Sequence, residues 1–345
     1  RPSSGGSKAA YPCKSYGQGR INPAYFYGVF DPNDMRRDVS ITMTGSNGKG
    51  VEKLIPFVPN SKAEGGGLTL NKWDENRQAN PWVAAQRKSG INGPYMRMSE
   101  VYLGYAEVCA ALGDVVTGKQ YLKTVRERSF PQGLANTDAF IASFGNDLVR
   151  AIIEERGFEY AGEGDRRWTL IRSGYLPEDI KRIKDMTKAM MDGLATKGYY
   201  EFENGNIISA YIWTKLVDAK TIYGHRLTAQ CPTDKVNDPV LYPGWRGQKD
   251  NWEEMGLNYG SSTPATNLAI KGLFEIVSEE EAASLESQGY TKVNWGIDLV
   301  DNRDEYDKYL FWDYDYVSAP IYLWPFTPNV MAAGGFTNGY GFKQE

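Results

Sequence analysis

YMRMSEVYLGYAEVCAALGDVVTGKQYLKTVRERSF, residues Tyr95 to Phe130, is the one long stretch in which a helical period, a tight turn and a second helical period follow without a break. In its first half Met98, Tyr102, Tyr105, Ala106, Cys109 and Leu112 recur at helical spacing, so one stripe would carry them while Arg97, Glu100 and Glu107 fall elsewhere. Gly113 supplies the permissive backbone that ends such a helix, and Asp114 can accept from the first free amides of the next. The second stripe is Val115, Gly118, Leu122 and Val125. An antiparallel helical hairpin is predicted, each helix with an apolar face that must be covered.

Large Tyr102 and Tyr105, small Ala106, Cys109, the Gly-Asp turn, small Gly118, then Leu122 and Val125 resemble the tetratricopeptide pattern. One such unit is not stable alone, so partners are expected in the rest of the chain. Downstream, TDAFIASFGNDLVRAIIEERGFEY predicts a helix from Thr137 to Tyr160 begun by Asn136 or Thr137, with Phe140, Phe144, Leu148, Ile152, Glu155 and Glu159 along one side. A short helix over Arg166 to Arg172 follows. A longer one from Pro177 to Ala195 has Ile180, Ile183, Met186, Met190 and Leu194 as its stripe. Beyond Gly198 the pattern changes to short aromatic strands, turns and loops, with one acidic helix, SEEEAASLESQG, capped by Ser278.

Upstream, the run to residue 94 is rich in Gly, Pro, Asn and aromatic residues, with strand-like VSITMTG and KLIPFVP and no helical period. Within it TGSNGKGV, Thr44 to Val51, superficially suggests a phosphate-binding loop. Gly50 follows Lys49 where that loop needs Ser or Thr, and Pro56 and Pro59 forbid the helix it must lead into, so a hairpin tip with Asn-Gly turn chemistry is the better reading. The fold expected is mainly α: a tetratricopeptide-like helical-hairpin scaffold with long irregular loop-rich excursions and a few short strands. One domain is expected over 1–345, with a loop-rich layer at 1–94, helical hairpins at 95–196 and an irregular aromatic-rich region at 197–345 that packs on the helices.

Composition narrows the function. With 345 residues and 41% hydrophobic content the chain can bury a large core, and its formal charge of −4 is spread over interleaved signs, which leaves no footprint for nucleic acid or an anionic membrane surface. No run approaches the ~20 apolar residues of a membrane span. Cys13, Cys109 and Cys231 are widely spaced and predict neither a disulfide framework nor a zinc site. A single histidine, His225, removes the usual histidine-based metal motifs and makes any Ser-His-Asp triad depend on that one residue, which sits in a Tyr-Gly-His-Arg loop. No metal and no cofactor are expected.

Glu154, Glu155, Glu159 and Glu163 share one helix and its exit with Arg156, Arg166 and Arg167, which reads as an ion-pair network fixing that helix against the next turn. Asp298, Asp301, Asp304 and Asp307 lack the Gly and terminal Glu of a calcium loop and read as a solvated face. Aromatic content of 13%, with 9 Trp and 23 Tyr, is the distinctive feature, and much of it falls in segments read as loops. Flat rings there suit stacking on sugar rings, and Tyr25, Tyr27, Trp73, Trp82, Trp245 and Trp252 are the candidate ligand contacts, with Trp295 among the other loop-assigned aromatics. A packing role, pinning long loops onto a helical scaffold, is the competing explanation for each ring.

The helices and the tail together resemble the SusD/RagB family of surface-exposed outer-membrane lipoproteins, which capture nutrients for a TonB-dependent transporter. Met96-Arg97-Met98-Ser99-Glu100-Val101-Tyr102-Leu103 with Ala106-Glu107 resembles the family's Arg-x-x-Glu-x-x-Leu-x-x-Ala-Glu helix. Val125-Arg126-Glu127-Arg128 is similar to the end of the following helix, and Ile152-Ile153-Glu154-Glu155-Arg156, Glu159, Glu163-Gly164, Arg166 and Leu170 to the series after it. Asp34-Met35-Arg36-Arg37-Asp38 upstream, and Leu323-Trp324-Pro325-Phe326-Thr327 with Asn338-Gly339-Tyr340-Gly341 in the tail, add to the resemblance, which covers most of residues 30 to 345.

The resemblance implies a non-enzymatic, lipid-anchored binding protein of the outer membrane and cell surface that takes oligosaccharides for a SusC-like transporter. A peptide ligand is the alternative within the family. Outside it stands a carboxylate-dependent glycoside hydrolase using Glu201, Glu203, Asp250 or Glu253, and a module that binds only protein is a third reading. Cys13 in Tyr-Pro-Cys-Lys is not a lipobox, so the anchor and the family's first helices are expected to lie outside this sequence, and the stretch from Ile207 to Trp252 matches no family segment.

Overall fold

The computed structural model describes residues 20–46, 52–54, 68–70, 93–131, 133–218, 266–304 and 327–335, with Phe57 and Lys72. It is mainly helical, with short antiparallel strands. The N-terminal part is not free of helix. After β1 (Arg20–Ile21), Asn22 accepts from the Ala24 amide at 2.8 Å and Pro23 opens α1 (Pro23–Gly28); Asp34 likewise accepts from Arg36 N at 3.0 Å and starts α2 (Met35–Ser40). Six-residue helices are too short to display a period, but their caps are ordinary start signals.

Strands β2 (Ile41–Thr42), β3 (Thr44–Ser46), β4 (Glu52–Leu54) and β5 (Leu68–Leu70) follow, with β5 between β1 and β2 in one antiparallel sheet. Strands β3 and β4 pair as antiparallel arms, with Thr44 opposite Leu54 and Ser46 opposite Glu52, on either side of the expected Asn-Gly tip. That tip lies outside the described residues.

Helices α3 (Met98–Ala111) and α4 (Val115–Glu127) form the predicted hairpin, with Asp114 accepting from Thr117 N at 3.1 Å. The buried face of α3 differs from the expected one. Ser99, Leu103, Ala106 and Cys109 face inward, whereas Tyr105 is 50% exposed and Leu112 is 81% exposed. The reason is close packing at small residues: a Cβ on Gly118 of α4 would stand 3.0 Å from Ala106 O, a separation that only a small-residue seam permits. Met98, Val101, Tyr105, Val108 and Leu112 are left as a second, outward apolar stripe with alternating three- and four-residue spacing. On α4, Gly118, Leu122 and Val125 are buried as expected, and Val115 is not.

The single helix expected from Thr137 to Tyr160 is two: α5 (Thr137–Ala142) and α6 (Leu148–Glu159). Gly145 and Asn146 both take positive φ at 65°, and Asp147 then caps α6 through Arg150 N at 3.0 Å. Two successive left-handed residues end any helix, and Gly-Asn is the dipeptide that tolerates them. Helix α7 (Asp165–Ser173) and the long α8 (Leu176–Lys197) complete the bundle. Strands β6 (Tyr199–Glu201) and β7 (Ile207–Ser209) pair, and β8 (Tyr211–Asp218) lies between β9 (Thr266–Lys271) and β10 (Thr291–Asn294). Among the remaining helices, Glu279–Ser287 begins with a full capping box between Ser278 and Glu281.

Among the described residues three apolar clusters meet at α6, a small one of Ile153, Leu170 and Leu176 and two larger ones. One joins Phe26, Tyr27 and Phe30 to Met190, Leu194, Ile212, Ile270 and Trp295, so residues near the N-terminus and from the C-terminal third share it; the other lies among α3, α4, α5 and α6. Eleven of the twelve residues of α6 are buried, charged ones included. Among the described residues no helix is long and apolar enough to cross a membrane.

Candidate functional site

A helix buried on every side must satisfy its charges internally, and α6 does so with arginines gathered from distant segments. The fully buried Glu155 accepts from Arg36 Nη1 at 2.6 Å and Arg126 Nη1 at 3.0 Å. Glu154 takes Arg166 Nη2 at 2.9 Å, Arg150 Nη2 at 3.1 Å and Arg182 Nη2 at 3.4 Å. Glu159 pairs with Arg36, Arg97 and Arg128, and Glu163 with Arg97 and Lys72. Asp179 completes the set by accepting from both Arg166 and Arg182. The ion-pair network read from sequence is therefore present, with more arginine partners than the local sequence shows.

Electrostatics agree with a holding role. Burial alone would raise the Glu159 carboxyl, but the Arg128 hydrogen bond and the charges of Arg36, Arg128 and Arg97 outweigh it and bring it to about 2. Asp179 is also held below the usual carboxylate range, burial being overcome by Arg166 and Arg182. A carboxyl pinned in its ionised form cannot supply a proton at neutral pH. Because the folded pKa is depressed, its stabilising contribution is present above the ordinary value of 4.5 and lost as pH falls through about 2. Melting temperature is accordingly expected to fall steadily from pH 4.5 toward pH 2, and Glu159→Gln to flatten that slope; a melting temperature constant down to pH 2 would refute the ionised pairing.

The sequence-predicted ligand residues fall into two groups. Tyr25 and Tyr27 are on α1, not on a loop. Tyr25 donates to Gly157 O at 3.3 Å, with its phenol raised to about 12 by burial, and the Tyr27 hydroxyl accepts from Trp295 Nε1 at 2.9 Å inside the core. Tyr27 is 0% exposed and stacks on Phe202 at 6.0 Å, and Trp295, also read as a loop residue, is buried beside it. Rings that α1 and the residue following β10 place in a shared core are filling it. Trp73, Trp82, Trp245 and Trp252 lie outside the described residues. Of the hydrolase carboxylates, Glu201 and Glu203 are exposed at β6 and the turn after it, and Asp250 and Glu253 lie outside the described residues.

An open cavity of about 330 Å3 lies over this charged centre, between α5 and the connection from α1 to α2. Arg126 and Glu154 reach it from the centre, Asp31 and Asn136 from its rim, and Phe140 and Phe144 give it an apolar wall. Sequence reading did not single it out, since Asp31, Arg126 and Phe144 lie in three separate segments with no shared motif. Among the described residues no cluster of three or more His, Cys, Asp or Glu side chains could hold a metal ion.

Comparison with known proteins adds the following. Residues 6–325 match the model of the SusD family. A 160-residue segment is 28% identical to SusD-like protein P25 of Formosa agariphila, covering 46% of this chain and 26% of that protein. No solved structure matches.

Proposed function

Since the chain belongs to the SusD family, whose members are nutrient-binding proteins of the cell surface, we propose that it captures oligosaccharides for a SusC-like, TonB-dependent outer-membrane transporter, to which it is held as a lipid-anchored partner. The family match over residues 6–325 carries this reading. Two features support it. The described carboxylates of the α6 centre are engaged by arginines, which suits a scaffold rather than a hydrolase. The chain also holds 9 Trp and 23 Tyr, ample rings for stacking on sugars.

Trp73, Trp82, Trp245 and Trp252 are the proposed ligand contacts, while Tyr25 and Tyr27 hold α1 in the core. Modest affinity is sufficient, because a captured ligand must be released to the transporter. Calorimetry against a panel of neutral oligosaccharides and a peptide mixture tests this. Glycan binding is expected, and each Trp→Ala change at a true contact should cost roughly 0.5–1.5 kcal/mol, about two- to tenfold in Kd. Peptide binding without any glycan signal would replace the oligosaccharide by a peptide. Glycan turnover abolished by Glu201→Gln or Glu203→Gln would make the protein a hydrolase.

A further inference from the structure

The cavity over the charged centre contains an arginine whose hydrogen bonding is incomplete. The Arg126 guanidinium lies over Phe140 at 3.8 Å and Phe130 at 4.6 Å from the ring centroids, and only 4% of its side chain is exposed. Nη1 donates to Glu155, but Nε has no partner. Nη2 makes no hydrogen bond among the described residues either; its ion-pair partner on the cavity side, Asp31 Oδ2, is 3.9 Å away, beyond direct hydrogen-bond range. A buried donor and an acceptor separated in this way are satisfied by one oxygen that accepts from the first and donates to the second.

That geometry selects the chemistry of the occupant. A hydroxyl can accept from Arg126 and donate to Asp31. A carboxylate cannot donate, and would sit against Asp31 and Glu154; an ammonium cannot accept, and would sit against Arg126. The charges lining the cavity balance, with Arg126 and Arg182 against Asp31 and Glu154, so nothing compensates the desolvation of an ionic guest. Further along the wall, Asn136 spends its Oδ1 on Ala139 N at 2.9 Å and keeps its amide N–H groups. Ser143 Oγ donates to Phe140 O at 2.7 Å and keeps its acceptor lone pairs. The partly buried Phe144, edge-on to Phe140, supplies an apolar surface beside them. Donors and acceptors next to an aromatic ring match a molecule with several hydroxyls on one side and a C–H face on the other.

We propose that this cavity is a subsite for a single neutral sugar ring, one of whose hydroxyls bridges Arg126 Nη2 and Asp31 while its C–H face lies against Phe144. At about 330 Å3 the space is at the small end of the ~300–1,000 Å3 of ligand pockets, which fits one ring and not an extended chain. The inference rests on the carbohydrate-binding reading above but assigns binding to the helical scaffold, apart from the tryptophans.

Titration calorimetry of the full chain with the methyl glycosides of glucose, galactose, mannose and xylose, with glucuronate and glucosamine as charged controls, tests it. At least one neutral glycoside is expected to bind, and the charged sugars to bind at least tenfold more weakly. Asp31→Ala should weaken the bound glycoside at least tenfold, and Ala139→Trp, which fills the cavity from an exposed helix position, should abolish binding with the melting temperature unchanged. If Ala139→Trp does not fold, Ser143→Phe takes its place. Absence of any monosaccharide binding, which would mean water alone bridges the gap, overturns the subsite; so does binding unaffected by both substitutions, or a preference for the charged sugars. Oligosaccharide binding is scored separately: its retention in a protein that ignores monosaccharides overturns only the subsite, and its absence from the parent protein overturns the functional reading.

Discussion

Changing Glu155 to alanine is expected to lower the unfolding free energy by about 3–5 kcal/mol, the range for removing one partner of a buried ion pair. The carboxylate is 0% exposed and joins Arg36 to Arg126. The two arginines fare differently without it. Arg36 retains Asp34, 2.7 Å away, and Glu159, but Arg126 is left with Asp31 at 3.9 Å as its ion-pair partner. The loss therefore falls mainly on Arg126, a desolvated cation between two phenylalanine rings. Pairing Glu155→Leu with Arg126→Met, which removes both charges, should recover part of the stability, since the cost lies in the unpaired ion and not in the missing bond. Urea midpoints at constant slope measure the effect. An alanine variant with the parent's midpoint would show that Glu155 is not a buried link.

Trp295→Ala is expected to cost a similar ~3–5 kcal/mol, as aromatic truncations in a packed core do. Its ring stands 4.0 Å from that of Phe57, centroid to centroid, and its Nε1 donates to Tyr27 at 2.9 Å, so one side chain ties the C-terminal third to two N-terminal segments. Tyr27→Phe is a finer test. It removes the hydroxyl and little volume, leaving a buried indole N–H without an acceptor, and about 1–3 kcal/mol should be lost. The order Trp295→Ala, then Tyr27→Phe, then parent is the expected ranking of urea midpoints. A Tyr27→Phe variant as stable as the parent would mean that the indole finds another acceptor.

The scaffold was legible in the sequence where period and cap agree. Asp114 and Ser278 each start the helix expected of them, Asn136 starts only the first of the two helices found where one was expected, and Met186, Met190 and Leu194 put α8 on the core as read. Misreadings have local physical causes. Helix α3 carries two apolar stripes, and hydrophobicity alone cannot choose between them; the choice was made by Ala106 and Gly118, whose smallness lets the two helices approach. The break between α5 and α6 turned on the backbone of Gly145 and Asn146, while the apolar spacing continued across it. Tyr25 and Tyr27 looked like loop rings because a six-residue helix shows no period. The cavity could not be read at all, since its parts come from Asp31, Arg126 and Phe144 and meet only in three dimensions.

The burial of α6 also constrains the order in which the chain can assemble. Its carboxylates are neutralised by arginines from α2, from the start of α3, from the end of α4 and from α7 and α8, positions spread from Arg36 to Arg182. Dehydrating the helix before those cations arrive would strand a bare anion in a low-dielectric interior. Partial structures that enclose α6 are thus high in energy, and the segment from Arg36 to Arg182 gains most when it closes together. Burial of the central helix is therefore all or none, as a keystone and its arch stand or fall together, and its amides should exchange with solvent deuterium only through global unfolding, among the last in the protein.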